Sequence, residues 1–317
     1  MDDYYSRRNA CEMDNPLTVG SSIWTIVVTH NSESVISTCL KSLEAATISS
    51  RIVVVDSGSK DTTIDIVKRN FPSVILCRET NLGFAGGCNR GILLAGDDAE
   101  AYFFLNPDAS VSSNCLEQLA KSLDEDEGLA VVSPKILHPE SKQIEYAGAL
   151  LDFQNLSFGA FNSGEVHFGQ STQETGRPAG AAMLVRRSSL DTVGPMDASY
   201  FLYWEECEWA VRFHSNGLKI GYVPDATVLH SLSHSTGGIG SKVYEYYYTR
   251  NLLRLVQEVK HFSRPATVLH LLPLLSRRLR GILISRHLIL LTTIVRYRAL
   301  GTWDFLRGRA GHRPGLP

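Results

Sequence analysis

The chain lacks several features that would settle its class at once. No CxxC pair occurs among its six cysteines, Cys11, Cys39, Cys77, Cys88, Cys115 and Cys207, which argues against a structural zinc site. A chain of 317 residues can bury its own core without a cysteine framework, so these read as reduced thiols. No charge-free apolar stretch approaches the ~20 residues that span a bilayer. The first twenty residues carry Asp2, Asp3, Glu12 and Asp14 and no apolar run, so residues 1–20 read as a flexible tail rather than a secretory signal. A chain-wide basic field is missing at a net charge of −2, and nucleic acid is not the expected partner. Neither the dinucleotide fingerprint nor the Walker loop is present.

What is present points to a packed α/β protein. Hydrophobic residues make up 44% and charged residues 20% of the chain, which excludes a disordered or collagen-like polymer. Residues 23–29 form a continuous apolar, β-branched run, as expected of a strand buried on both faces. Strands are likewise predicted at 51–55, 74–77 and 101–105, and helices at 32–46, 62–70 (capped by Asp61) and 89–95. Such alternation describes an open, mostly parallel central sheet flanked by helices. Ligands of these sheets sit at the carboxyl ends of the strands. There lie His30-Asn31, Asp56, and Asn106 with Asp108.

Residues 137–176 suggest hairpins or a substrate loop. A strand follows at 180–187, a helix at 205–216, and short strands at 219–223 and 226–230. From Arg264 onward there are ten arginines, no lysine and one acid, Asp304, interleaved with Leu and Ile clusters. That pattern fits a basic amphipathic helical hairpin on an anionic membrane surface. A helical pair completing the core, or a homodimer interface, is the alternative.

Each candidate site residue has a functional and a plain reading. Asp56 can accept hydrogen bonds from a base or ribose, or be a turn residue. Four glycines between Asn81 and Gly91 read as a loop that lets the backbone approach a ligand, with a helix N-terminus behind it. Asp108 suits a hard divalent cation, while Asn106-Pro107 also makes a turn. Glu205, Glu206 and Glu208 follow the aromatic run Tyr200–Trp204. They suit a helix N-terminus, yet a carboxylate desolvated beside that wall can act as a general base. His230 and His234 follow a predicted strand, where a histidine is more often structural.

Taken in order, these segments resemble the family 2 glycosyltransferases of the GT-A fold, and among them the bacterial branch that includes rhamnosyltransferases. The resemblance rests on residues 27–32, 55–61, 81–91, 105–109, 180–187, 203–212 and 224–230, and spans roughly 23–260. It implies transfer of a sugar, with inversion, from a nucleotide diphosphate donor to an acceptor hydroxyl. The donor would be a dTDP- or UDP-sugar, with rhamnose or a similar hexose, and the acceptor a lipid-linked saccharide of bacterial surface polysaccharide. Thr29, Asn31 and Asp56 would hold the nucleoside. Gly83, Phe84, Asn89 and Asn106 would shape the nucleotide-sugar pocket. Asp108 and His230 would bind Mg²⁺ or Mn²⁺, and Glu206 would be the base, with Glu205 as the alternative.

Two departures from the family pattern stand out. Glu206 replaces the usual Asp, moving the carboxyl by roughly 1 Å, which positioning-sensitive catalysis would feel. Asn106 stands where many relatives have Asp. The expected organisation is a tail at 1–20, a GT-A domain at 21–262 and a membrane-associating helical region at 263–317, on a cytoplasmic protein peripheral to the inner membrane face. Competing readings are a nucleotidyltransferase, disfavoured because no basic Gly-rich loop lies near the chain start, and a degenerate relative that binds without turnover.

Overall fold

The structure, a computed structural model, describes residues 23–96, 98–161, 171–231, 238–284 and 288–316. The expected tail at 1–20, and His234, lie outside them. Among the described residues, ten strands form one sheet: β1 (Ile23–Thr29), β2 (Arg51–Ser57), β3 (Ile75–Glu79), β4 (Ala101–Leu105), β5 (Ala109–Val111), β6 (Leu129–Leu137), β7 (Ile144–Tyr146), β8 (Gln173–Glu174), β9 (Ala182–Arg186) and β10 (Lys219–His230). The order is β3-β2-β1-β4-β9-β6-β10-β5, with β7 on β6 and β8 on β10. Neighbours from β3 to β4 run parallel, as do β6 and β10, whereas β9 lies antiparallel between β4 and β6. The predicted pair of short strands at 219–230 is one strand, with a register shift between Val223 and Thr227.

Alternation along the strands feeds two cores. Val27, Val54 and Phe103 face helices α1 (Ile36–Glu44), α2 (Thr63–Asn70) and the later Cys115–Glu125 helix. Ile26, Val55 and Phe104 face the opposite side, where Cys88, Trp209 and Phe213 pack. Asp61 serves α2 as expected, although Thr62 occupies the cap: its Oδ1 accepts from Thr63 N–H at 3.1 Å and Thr63 Oγ1 at 2.6 Å.

The Gly-rich stretch corrects the sequence reading. It is mostly helix, not loop: α3 runs Gly83–Leu94. A Cβ on Gly87 would lie 2.5 Å from Val28 Cγ1, and one on Gly91 2.3 Å from Ile26 Cγ2. Two of the glycines therefore serve close packing of helix on strand.

The remaining helices are α4 (Cys115–Glu125), α5 (Arg187–Val193), α6 (Glu205–Ser215), α7 (Lys242–Lys260), α8 (Arg264–Ile284) and α9 (Leu288–Leu306). Residues 147–161 form a hairpin, with Phe161 N–H donating to Gly148 O at 2.8 Å and Leu150 N–H to Gly159 O at 3.0 Å. Helices α8 and α9 run antiparallel and pack on α7: Arg298 donates to Glu245 Oε2 at 2.6 Å and to Leu275 O at 2.8 Å. Among the described residues, no helix is long and apolar enough to cross a membrane. Cys39, Cys88, Cys115 and Cys207 are free and buried.

Candidate active site

The ends of β1 and β2 bring Thr29 level with Asp56. Asp56 is 1% exposed. Its Oδ2 accepts from Ser59 N–H at 3.1 Å, but its Oδ1 is buried without a partner, as are Thr29 Oγ1 and Ser57 Oγ. Buried polar atoms are costly unless hydrogen-bonded, so three orphan oxygens at one strand end mark a place suited to an incoming donor. Asn31 stands beside them at φ 50°. Its N–H donates to Ser59 Oγ and its Oδ1 accepts from Lys60 N–H, both at 2.8 Å. Its role here is to hold the turn that presents Asp56.

At the start of α3, Gly83 has φ +68° and leaves no room for a Cβ, which would sit 2.3 Å from Phe201 O. Phe84 N–H donates to that same carbonyl at 2.8 Å. Asn89 spends its amide on Met196, donating to the carbonyl at 2.8 Å and accepting from the N–H at 3.1 Å. That bond pair makes Asn89 a clamp between α3 and the 196–200 segment, rather than a group free to meet a ligand.

At the end of β4, Asn106 N–H donates to Ala181 O at 2.9 Å. Asp108 Oδ1 lies 3.2 Å from His230 Nε2, with Asn106 Nδ2 3.4 Å from the same nitrogen. Glu145 Oε2 lies 3.4 Å from His230 Nδ1. Burial pulls the His230 pKa down, but hydrogen bonds from the imidazolium to Asp108 and Glu145 outweigh it and raise it to about 9. No group of three His, Cys, Asp or Glu side chains among the described residues could hold a metal by itself. Asp108 and Nε2 of His230 do converge on one point, and carboxylate with imidazole is a donor pair that divalent Mn and Mg sites accept, remaining positions being filled by phosphate or water. Glu145 sits on the opposite nitrogen and orients the ring.

The third part of the site is carried by α6. Its approach is strained: Phe201, Tyr203 and Trp204 have φ of 70°, 65° and 74°, each costing on the order of 1–3 kcal/mol. Such a segment persists only when held. Asn251 Nδ2 donates to the carbonyls of Tyr200, Leu202 and Tyr203 at 2.8, 2.7 and 3.0 Å. Past the loop, the three acids diverge. Glu208 is bound by Arg212 through two bonds of 2.6 and 2.7 Å. Glu205 is 5% exposed with Oε2 unpartnered; burial, then the neighbouring Glu206, raises its pKa well above the usual carboxylate range. Glu206 points to Gly180, whose Cβ would lie 3.7 Å from its carboxyl carbon, and its Oε1 is 3.8 Å from Arg177 Nη1. Gly180 adjoins Ala181, so Glu206 and the Asp108–His230 pair both lie near the junction of β4 with β9.

Sequence reasoning missed Glu145, Arg177 and Asn251. Glu145 sits on a three-residue strand and Arg177 in an irregular segment, neither of which carries a periodic signal. Asn251 was visible in an apolar, aromatic helix, where an amide that is 0% exposed would need partners; that was the available cue.

A model of glycosyl transferase family 2 matches residues 24–194, more than half of the chain. The chain is 28% identical over 208 residues to N-acetylglucosaminyl-diphospho-decaprenol L-rhamnosyltransferase of Mycobacterium tuberculosis (strain ATCC 25618 / H37Rv), covering 59% of this chain and 68% of that protein. It is 24% identical over 257 residues to dTDP-rhamnosyl transferase RfbF of Shigella flexneri, covering 76% and 81%. To rhamnosyltransferase WbbL of Escherichia coli (strain K12) it is 22% identical over 271 residues, covering 78% and 99%. Among solved structures, GalNAc-T7 with UDP, GalNAc and Mn²⁺ superposes with a TM-score of 0.58 at 19% identity, over 75% of this chain and 47% of that one. The chain thus spans about half the length of that protein, and the likeness is one of fold. An open GT-A sheet, together with the match over residues 24–194, makes this chain a glycosyltransferase of family 2.

Proposed function

We propose that the protein is an inverting, metal-dependent hexosyltransferase. It moves rhamnose or a similar hexose from a dTDP- or UDP-sugar to a hydroxyl of a lipid-linked saccharide. The observation that supports this reading is that Glu206 lies against Gly180, next to Ala181, whose carbonyl accepts from Asn106 two residues before Asp108, so both ends of the site meet at one sheet junction. A base and a diphosphate site must face each other across the reacting carbon for inversion. The names of three rhamnosyltransferases among the relatives, one acting on a decaprenol-linked sugar, support the sugar and the acceptor class.

The residues divide the work. Asp56 Oδ1 accepts from the nucleobase, with Thr29 beside it. Asp108 and His230 would hold Mg²⁺ or Mn²⁺, which when bound supplies Lewis-acid stabilisation of the departing diphosphate. Glu206 takes the proton of the acceptor hydroxyl while that oxygen attacks the anomeric carbon from the face opposite the diphosphate. The bond from that carbon to the diphosphate breaks in the same step. Arg177 orients the Glu206 carboxyl. Such general-base help is worth about 10²–10⁴-fold.

Peripheral binding to the inner face of the membrane belongs to the same reading. Val295, Ala299, Trp303 and Leu306 form an exposed stripe along α9, flanked by exposed Arg296 and Arg307. The one acid of this region, Asp304, is turned inward at 3% exposure. An apolar stripe edged only by arginines suits an anionic bilayer.

Calorimetric titration with UDP and dTDP, with and without Mn²⁺, tests the donor site. It is followed by assay of nucleotide release from dTDP-rhamnose in the presence of a polyprenyl-diphosphate saccharide. Mn²⁺-dependent binding and acceptor-dependent release are expected. Absence of nucleotide binding overturns the reading, and binding without turnover leaves a sugar-nucleotide-binding scaffold.

A further inference from the structure

The aromatic loop Phe201–Trp204 is held from two directions, and only one of them is the sheet domain. Arg250, 1% exposed, divides its guanidinium. Its Nη2 donates to Tyr200 O at 3.0 Å and its Nη1 to Gly311 O at 2.6 Å. Gly311 in turn donates its N–H to Ser199 O at 2.6 Å. The His312 ring lies 5.0 Å from that of Phe201, and Tyr247 lies 5.0 Å from Phe201 as well. Arg313 N–H donates to the Tyr247 hydroxyl at 2.9 Å, and Leu316 is buried in the same apolar cluster as Phe201. Residues 309–316 have no regular secondary structure, yet they are tied down by both backbone and side chains.

We propose that the segment Arg309–Leu316 is a positioning element for Glu206, acting as a clasp on the loop that carries α6. The proposal rests on the reading of Glu206 as the base. The loop has left-handed φ at three non-glycine residues, so it does not hold this shape by local preference. Asn251 and Arg250 fix its carbonyls from α7, and the C-terminal segment fixes Ser199 and Phe201. Phe201 O is also the acceptor for Phe84 N–H at the start of α3. The clasp therefore sets the base and the nucleotide-side helix in register with one another. A carboxyl displaced by about 1 Å can cost ~10²-fold in rate, so releasing the clasp acts on turnover more than on binding.

The test uses the 317-residue chain with Leu316→Asp, which places a carboxylate in the Phe201 cluster without altering a residue of the loop or the site. His312→Ala is the milder variant and Lys121→Ala, on the exposed face of α4, the control. Hydrogen exchange is expected to quicken at 309–316 and at 199–206 in Leu316→Asp, with β1 and β4 unchanged. Turnover of dTDP-rhamnose falls at least 10-fold with KM unchanged, and UDP or dTDP binding is retained. Faster exchange at 309–316 with 199–206 unaltered overturns the clasp. So does a loosened loop with full turnover. If the native protein transfers no sugar while the exchange result holds, the functional reading fails and the clasp stands as a mechanical fact of the fold.

Discussion

Glu205 and Glu206 are consecutive in the chain and occupy opposite environments. Glu205 is buried with an unpartnered Oε2, against α3, where it and burial together push the Cys88 thiol up. Glu206 instead reaches Gly180 and Arg177. The helix start thus separates a carboxyl that stays in the core from one that faces the strand ends.

Replacement of each by glutamine separates their roles. Glu206→Gln is expected to lose about 10²–10⁴-fold in transfer rate, with nucleotide binding intact. Glu205→Gln keeps transfer. Steady-state kinetics with the same donor and acceptor decide between them, and full turnover in Glu206→Gln excludes it as the base.

The same pair gives a pH dependence. The raised pKa of Glu205 means that the folded state binds its proton more tightly than the unfolded chain does. Its contribution is fully present below the unfolded carboxylate value of about 4.3 and is lost as pH rises toward the folded value. Glu205→Gln removes that loss. Melting temperatures of variant and native protein should therefore shift in favour of the variant between pH 5 and pH 8. A gap constant with pH contradicts the buried, protonated state.

Asp108→Ala and His230→Ala are expected to abolish the Mn²⁺-dependent part of nucleoside diphosphate binding, because they remove the two converging donors. Asp56→Ala weakens binding equally with and without Mn²⁺, since it acts on the nucleoside. Paired calorimetric titrations distinguish the two patterns, and identical behaviour of all three variants argues against a separate metal end.

Gly91→Ala places a methyl group 2.3 Å from Ile26 Cγ2. Helix α3 must move off β1, at a cost of about 1–3 kcal/mol, read as a lower urea midpoint. Asn251→Ala removes a donor from three loop carbonyls, of which Tyr200 O keeps Arg250. It is expected to cost about 1–3 kcal/mol and to lower turnover without changing KM.

Membrane docking is checked by sedimentation with vesicles. The native protein is expected to bind vesicles containing anionic phosphatidylglycerol and to leave neutral phosphatidylcholine ones, with binding weakened by salt. Trp303→Ala with Leu306→Ala loses it. A native protein that ignores anionic vesicles and elutes as a dimer would assign the stripe to a second copy.

Much of the sheet was legible because its strands are buried on both faces. Residues 23–29, 52–55 and 101–105 therefore read as runs of apolar and β-branched residues. The chemistry at their ends followed from where strands must stop. The Gly-rich segment misled because glycine signals conformational freedom and close packing with the same letter, and Gly87 and Gly91 use the second meaning. The loop at 201–204 was illegible for a different reason. Phe, Tyr and Trp give no hint of left-handed backbone; it is imposed by Asn251 and Arg250, some fifty positions away. Glu145 reaches His230 across a turn that no periodicity announces.

The antiparallel insertion of β9 beside β4 has a consequence for how the gene can be divided. Thr29, Asp56 and Asp108 precede it, while Glu206 and His230 follow it, and the two sets are joined by the pairing of Leu105 with Ala182 and of Ala109 with His230. A cut in the chain ahead of β9 would leave a nucleotide half without a base and a base half without a nucleotide. Neither piece would be competent alone. Their reassembly would restore sugar transfer, so this strand pair is the natural joint for a two-fragment reporter.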